Sequence, residues 1–133
     1  MSLAPIEVVE ALYEALARGD VEAAGALLHP AVRWIEQRGF PGGAEHRGRP
    51  AVETLLFRDR QERWALLQAR TDSLHEDGDL VFVRGAYIAR PQGIPREVVV
   101  PFVHIYEVRG GLIEACHLLT DTALLRDALE GRI

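Results

Sequence analysis

The chain has a single cysteine, Cys116, which excludes an internal disulfide, and no CxxC or cluster of metal ligands surrounds it. Such a thiol suits a reducing cytoplasm. No apolar run approaches the roughly 20 residues of a spanning helix, and the N-terminus lacks the basic stretch and apolar core of a signal peptide. A cytoplasmic protein with no membrane partner is the expectation. No stripe of Lys and Arg is present, and the formal net charge of -5 opposes a phosphate backbone, which argues against nucleic acid. The five histidines show neither HExxH nor HxH spacing, so no metal is expected. No dinucleotide or P-loop glycine pattern occurs either. Gly42-Gly43 is a loop signal only, and no cofactor is expected.

What remains is an ordinary globule. Of the 133 residues 48% are apolar and 26% charged, enough for one core and too short for two, so residues 1–133 read as one domain. Val9, Leu12, Tyr13 and Leu16 recur at helical spacing behind Pro5 and define a first amphipathic helix. Gly19 suits its left-handed cap, and Asp20 suits the N-cap of a second helix carrying Val21, Ala24, Leu27 and Leu28. His29-Pro30 ends that helix, and Val32 to Glu36 reads as a short strand.

The Gly-rich stretch Arg38 to Gly48 predicts a long loop that sustains no ladder. Pro50 opens a third helix with Val52, Leu55 and Leu56 inward, but its periodicity fades through Arg58 to Arg63. Four strands follow: Leu66 to His75, Leu80 to Ala89, Glu97 to Val108 and Leu112 to Thr120. Helices first and a meander afterwards predict an α+β domain with the helices on one sheet face. Asp121, before Thr122-Ala123-Leu124-Leu125, suits a cap on a terminal helix.

Ala17-Arg18-Gly19-Asp20, His29-Pro30-Ala31-Val32, His46-Arg47-Gly48-Arg49-Pro50-Ala51-Val52 and Gly111-Leu112-Ile113 running to Thr120-Asp121-Thr122-Ala123 come in an order and spacing that cover nearly the whole chain. Together they resemble the SnoaL-like branch of the nuclear transport factor 2-like superfamily. The resemblance implies a cystatin-like cone, an α+β barrel in which a curved antiparallel sheet wraps around N-terminal helices. It also implies a pocket at the wide end and a homodimer through the sheet. Ketosteroid isomerases, polyketide cyclases, dehydratases, epoxide hydrolases and non-enzymatic binding domains share this fold, so fold alone does not set function.

Alternation puts Trp34 with Glu36 on one face, and Phe102, His104 and Tyr106 on one face. The last hairpin decides which residues join them. A three-residue Arg109-Gly110-Gly111 loop, the family-like choice and the one favoured, pairs Val108 with Leu112 and sets His104 opposite Cys116 and Phe102 opposite Leu118. A two-residue Gly110-Gly111 turn pairs His104 with His117 instead.

Matched to the isomerase-like members, Glu36 falls where they carry a base and His104 where they carry a donor to the developing enolate. Glu36 is otherwise a solvated strand end, and His104 otherwise a satisfied core histidine. The expected pocket lining is Trp34, Phe102, Tyr106, Cys116, Leu118 and Thr120, around a small apolar ligand. Two departures stand out: Leu12 occupies the isomerases' first-helix tyrosine position, with Tyr13 one step away on a different helix face, and Leu118 replaces the aspartate of epoxide hydrolase-like members. The first leaves the oxyanion hole incomplete, and the second disfavours epoxide opening. A proton-moving enzyme and a non-catalytic binding or assembly domain are the two functional expectations.

Overall fold

The computed structural model describes residues 3–133. Helix α1 (Pro5–Arg18) starts on Pro5 and buries Val8, Val9, Leu12 and Ala15. Val8, Val9 and Leu12 each contribute about 2 kcal/mol by leaving water. Gly19 ends α1 in the left-handed region at φ 68°, and the Asp20 side chain accepts from the Ala23 amide to start α2 (Val21–Ala26). That helix is shorter than the sequence pattern: Leu28 already belongs to strand β1 (Leu28–Glu36). His29-Pro30 lies inside the strand, where its ladder with the last strand shifts register between Leu28 and Arg33.

The Gly-rich stretch does sustain a ladder, contrary to expectation. Glu45–Arg47 forms a short strand, β2, antiparallel to Arg33–Ile35, with His46 opposite Trp34. Helix α3 (Arg49–Thr54) then runs into a π-helical turn, Leu55–Asp59, and a last α-turn, α4 (Arg60–Arg63). This π-turn is why the helical period fades in the sequence. A regular helix would carry the inward stripe of Val52 and Leu55 on to Asp59; the extra residue in the turn moves that position to Arg60.

Strands β3 (Trp64–Asp77), β4 (Leu80–Pro91), β5 (Val98–Arg109) and β6 (Leu112–Thr120) form the antiparallel meander, and β1 joins β6 in parallel. The six-stranded order is β2-β1-β6-β5-β4-β3, mixed rather than wholly antiparallel. Gly85 in β4 sits opposite Thr71, beside a register shift in β3, and a Cβ there would strike the Arg70 carbonyl and the Phe102 ring. The absent side chain allows the strands to close together at this bend. Helix α5 (Thr122–Leu129) is capped by Asp121, whose side chain accepts from the Leu124 amide. One contiguous core joins α1, α3, α5 and the inner sheet face.

The last hairpin corrects the expected register while preserving the expected face. Gly110 and Gly111 both have positive φ, 58° and 78°, and form a two-residue turn that pairs Arg109 with Leu112. A register shift between Glu107 and Val108 then adds one residue to β6, so His104 pairs with Leu118 and Phe102 with Thr120. Turn and shift offset each other in parity. Cys116 and Leu118 face inward with His104, while His117 faces outward near Glu107, at 3.9 Å.

Candidate functional site

Glu36 ends β1 with its side chain only 2% exposed. The loop after it folds back over it: the Glu36 amide donates to the Ala44 carbonyl, and a Cβ on Gly43 would meet the Phe40 carbonyl and crowd the Glu36 Cβ. Glycine at 43 is what lets the loop close here. Inward-facing His46 brings Nε2 to 3.3 Å from Glu36 Oε1, and Arg60 Nη2 stands 4.0 Å from Oε2. Burial raises the Glu36 pKa above the ordinary value of 4.5, and the charge of Arg60 and the His46 contact pull it back only in part.

Glu36, Phe40, His46, Arg60, Arg63 and Trp64 contribute to the wall of a cleft of ≈ 590 Å³. Arg63 is fixed at its rim by donation from Nη1 to the Pro41 carbonyl, 2.8 Å. A second cavity of ≈ 470 Å³, between α1 and β3, is lined by Tyr13, Leu16, Leu56 and Phe57 among others, and Arg60 and Trp64 border both spaces. Among the described residues three buried side-chain polar atoms lack a hydrogen-bond partner, and two of them are Arg60 Nε and Nη2; the third is Trp34 Nε1.

The inner row of the sheet runs Glu36, Leu118, His104, Val83 across β1, β6, β5 and β4. Glu36 and His104 therefore share the concave face, about 10 Å apart at two strand spacings. They do not share a cavity wall. The His104 ring is stacked on Phe102 at 3.8 Å and bonded at both nitrogens, Nδ1 to the Tyr13 hydroxyl and Nε2 to the Tyr87 hydroxyl, each 2.6 Å. Burial, and then the charge of Arg60, holds its pKa well below 6.5, so the ring is neutral and carries one proton.

The proton's place follows from satisfaction of the buried hydroxyls. Tyr87 is 1% exposed and His104 Nε2 is its one side-chain partner among the described residues, so its O–H donates there. Nδ1–H then donates to the Tyr13 oxygen, which also accepts from the Tyr106 hydroxyl at 2.9 Å. Tyr13, accepting twice, retains its own O–H for the cavity it lines. Tyr13 thus turns inward despite its one-step offset from Leu12. It lies four residues after Val9 on the same stripe, a spacing visible in the sequence.

The six residues expected to line the pocket border neither cavity. Trp34, Phe102, Tyr106, Cys116 and Leu118 are at most 2% exposed, packed in the core. Thr120 is half-buried, its Oγ1 donating to the Pro101 carbonyl. The ring cluster itself fills the space: Trp34 and Tyr106 meet edge to face, as do Tyr13 and Tyr106. Arg60, His46 and Trp64, which do form the cleft, escaped sequence reasoning because β2 and the π-turn set their facing.

The fold and this inward-facing site define a small α+β protein whose curved sheet and helices enclose its polar groups. The SnoaL-like domain family matches residues 9–116, and the chain belongs to that family. A nuclear transport factor 2-like protein from Burkholderia thailandensis E264 superimposes with a TM-score of 0.89 at 29% identity, covering 96% of this chain and 98% of that one. TerC, crystallised with polyporic acid, gives 0.87 at 21% identity, covering 96% and 99%. A putative SnoaL-like polyketide cyclase from Shewanella denitrificans OS-217 gives 0.79 at 15% identity, covering 96% and 97%. At such identities these last two establish the fold alone, the cystatin-like, ketosteroid isomerase-like cone named for other neighbours. No curated protein matches the sequence. Among the described residues no helix is long and apolar enough to cross a membrane.

Proposed function

We propose that this SnoaL-like chain is a cofactor-independent enzyme of the isomerase, cyclase or dehydratase type, moving a proton next to the carbonyl of a small, mostly apolar compound. The observation that carries this is Glu36, a carboxylate buried in a cleft wall with a raised pKa and no shielding by bulk water. Such a group is a better base than a solvated glutamate. Glu36 removes the proton from the carbon beside the carbonyl; the electron pair moves into the enolate, whose oxygen takes the negative charge. The proton then returns from Glu36 to another carbon or to the leaving oxygen.

Tyr13 lies not in the Glu36 cleft but in the adjoining cavity, with Arg60 and Trp64 bordering both spaces. It is the donor assigned to the enolate of a substrate that spans the two, and His104 acts through it as a positioning residue, by holding the phenol with Nδ1–H. The assignment rests on the hydroxyl proton that Tyr13 keeps after its oxygen has accepted from both His104 and Tyr106. In D2O, wild-type protein is expected to speed deuterium incorporation beside the carbonyl of at least one member of a panel of small ketones and β-dicarbonyl compounds. A ligand retained unreacted, with no exchange across the panel, would instead assign a binding domain. His104, packed away from the cleft and bonded at both nitrogens, is consistent with that second reading.

A second copy of the chain is the proposed partner, and the free, buried Cys116 fits a cytoplasmic setting. The outer sheet face exposes Val99, Val103 and Leu119, with Val103 directly opposite Leu119. Sedimentation at micromolar concentration is expected to give twice the mass of one 14.8 kDa chain, and a monomeric mass would count against the dimer.

A further inference from the structure

We propose that Arg60 is the receptor for an anionic group on the bound molecule, a planar monoanion such as a carboxylate held by the Nε–H and Nη2–H edge of the guanidinium. This rests on reading the cleft as the ligand site, and it narrows the ligand from a neutral carbonyl compound to an acidic one.

Three features converge on Arg60. The π-turn Leu55–Asp59 exists at a cost in backbone geometry, and its effect is to bring Arg60 onto the inward stripe in place of Asp59. Arg60 then borders both cavities, with its side chain 18% exposed. Its Nε and Nη2 are unpartnered and closed to water, and the nearest carboxylate, Glu36, is at 4.0 Å, beyond hydrogen-bond reach. A small swing of the partly exposed side chain toward the cleft would offer both donors to a bound acceptor. A buried guanidinium with two idle donors is unfavourable by itself, so an unfilled fork of this kind marks a place for an acceptor.

The chemistry of the surroundings selects the anion. Nε–H and Nη2–H are parallel donors that match the two oxygens of a carboxylate. Glu36, Asp59 and Glu62 also line the cleft, and their charge opposes a compact dianion such as phosphate. The charge of Arg60 also reaches inward, lowering the pKa of Tyr13, Tyr87 and Cys116 against the larger effect of burial. Arg60 borders both the cleft of the proposed base and the cavity of the proposed phenol donor, so an anion held by it is anchored at the junction of the two spaces.

The test measures binding without turnover, by calorimetry and amide chemical shifts, using benzoate, its neutral isostere benzamide and inorganic phosphate. Wild-type protein is expected to bind benzoate about ten- to a hundredfold more tightly than benzamide, the range for a charged hydrogen-bonded pair, and phosphate more weakly than benzoate. Arg60→Gln removes the preference. Arg60→Lys keeps the charge but loses the fork, and retains only part of the preference, so a misfolded Arg60→Gln leaves the question answerable. Equal binding of benzoate and benzamide, a preference that survives in Arg60→Gln, or no binding of benzoate at millimolar concentration would overturn the proposal. An acid preference in a protein that exchanges no protons supports the anion site and removes only the catalytic reading.

Discussion

Replacing His104 by alanine is expected to lower the melting temperature by about 10–20 °C, measured by scanning calorimetry at neutral pH. The ring satisfies two buried phenols and stacks on Phe102, so its loss orphans the Tyr87 hydroxyl, leaves Tyr13 without its orienting donor and opens a cavity. Unpaired buried hydroxyls cost about 1–3 kcal/mol each, and the lost packing raises the sum to roughly 3–5 kcal/mol. At about 4 °C per kcal/mol for a domain of this size, that gives the stated drop.

The same residue sets a pH signature. Because the folded state holds His104 neutral, with its pKa below the unfolded value near 6.5, the unfolded chain takes up the proton first. Its contribution is full above that value and is lost as pH falls below it, by about 1.4 kcal/mol per pH unit. His104→Gln, which can still donate and accept, is expected to recover part of the melting temperature while abolishing this acid slope. A His104→Ala protein within about 2 °C of wild type, by the scale above, would contradict the buried network.

Replacing Glu36 by glutamine is expected to cut the rate of deuterium exchange beside the substrate carbonyl by about 10²- to 10⁴-fold, the usual size of a general-base contribution. Glutamine has nearly the same volume, so cleft shape and ligand binding persist while the proton acceptor is gone. Measured as kcat with KM little changed, the loss would separate removal of the base from damage to the cleft. An undiminished rate in the Glu36→Gln protein would take the base role from this residue.

Much of the architecture was legible because its signals are local. Pro5, Gly19, Asp20 and Asp121 mark helix ends through backbone chemistry that acts within four residues, and all four do so in the structure. Strand alternation made legible that Glu36 shares a face with Trp34, and His104 with Phe102 and Tyr106; that both faces point inward is a finding of the structure. For the last strand, though, correct facing came from two departures that offset each other: a tighter Gly110-Gly111 turn and an added residue before Ala115. A bulge has no compositional mark, so register was off by two residues while parity held.

The cleft itself was poorly legible, for reasons of long-range geometry. Strand β2 looks like loop because Gly42 and Gly43 precede it, yet pairing with β1 is what turns His46 toward Glu36. Arg60 sits in a stretch of alternating charge, and only the π-turn brings it inside. The expected lining residues are large aromatics and aliphatics that pack against one another, and a sequence does not reveal whether such side chains leave a space or fill it. Here Trp34, Tyr87, Phe102 and Tyr106 fill it, and the open volume lies nearer the helices.

The poise of Glu36 underlies the catalytic reading, and titration of its side-chain carboxyl carbon by NMR tests it without any substrate. The expected midpoint lies above the ordinary 4.5, because burial outweighs Arg60 and His46, and it rises further in Arg60→Gln, where an attracting charge is lost. A midpoint at or below 4.5, or one that Arg60→Gln leaves unmoved, would contradict a buried carboxylate held ready beside that guanidinium.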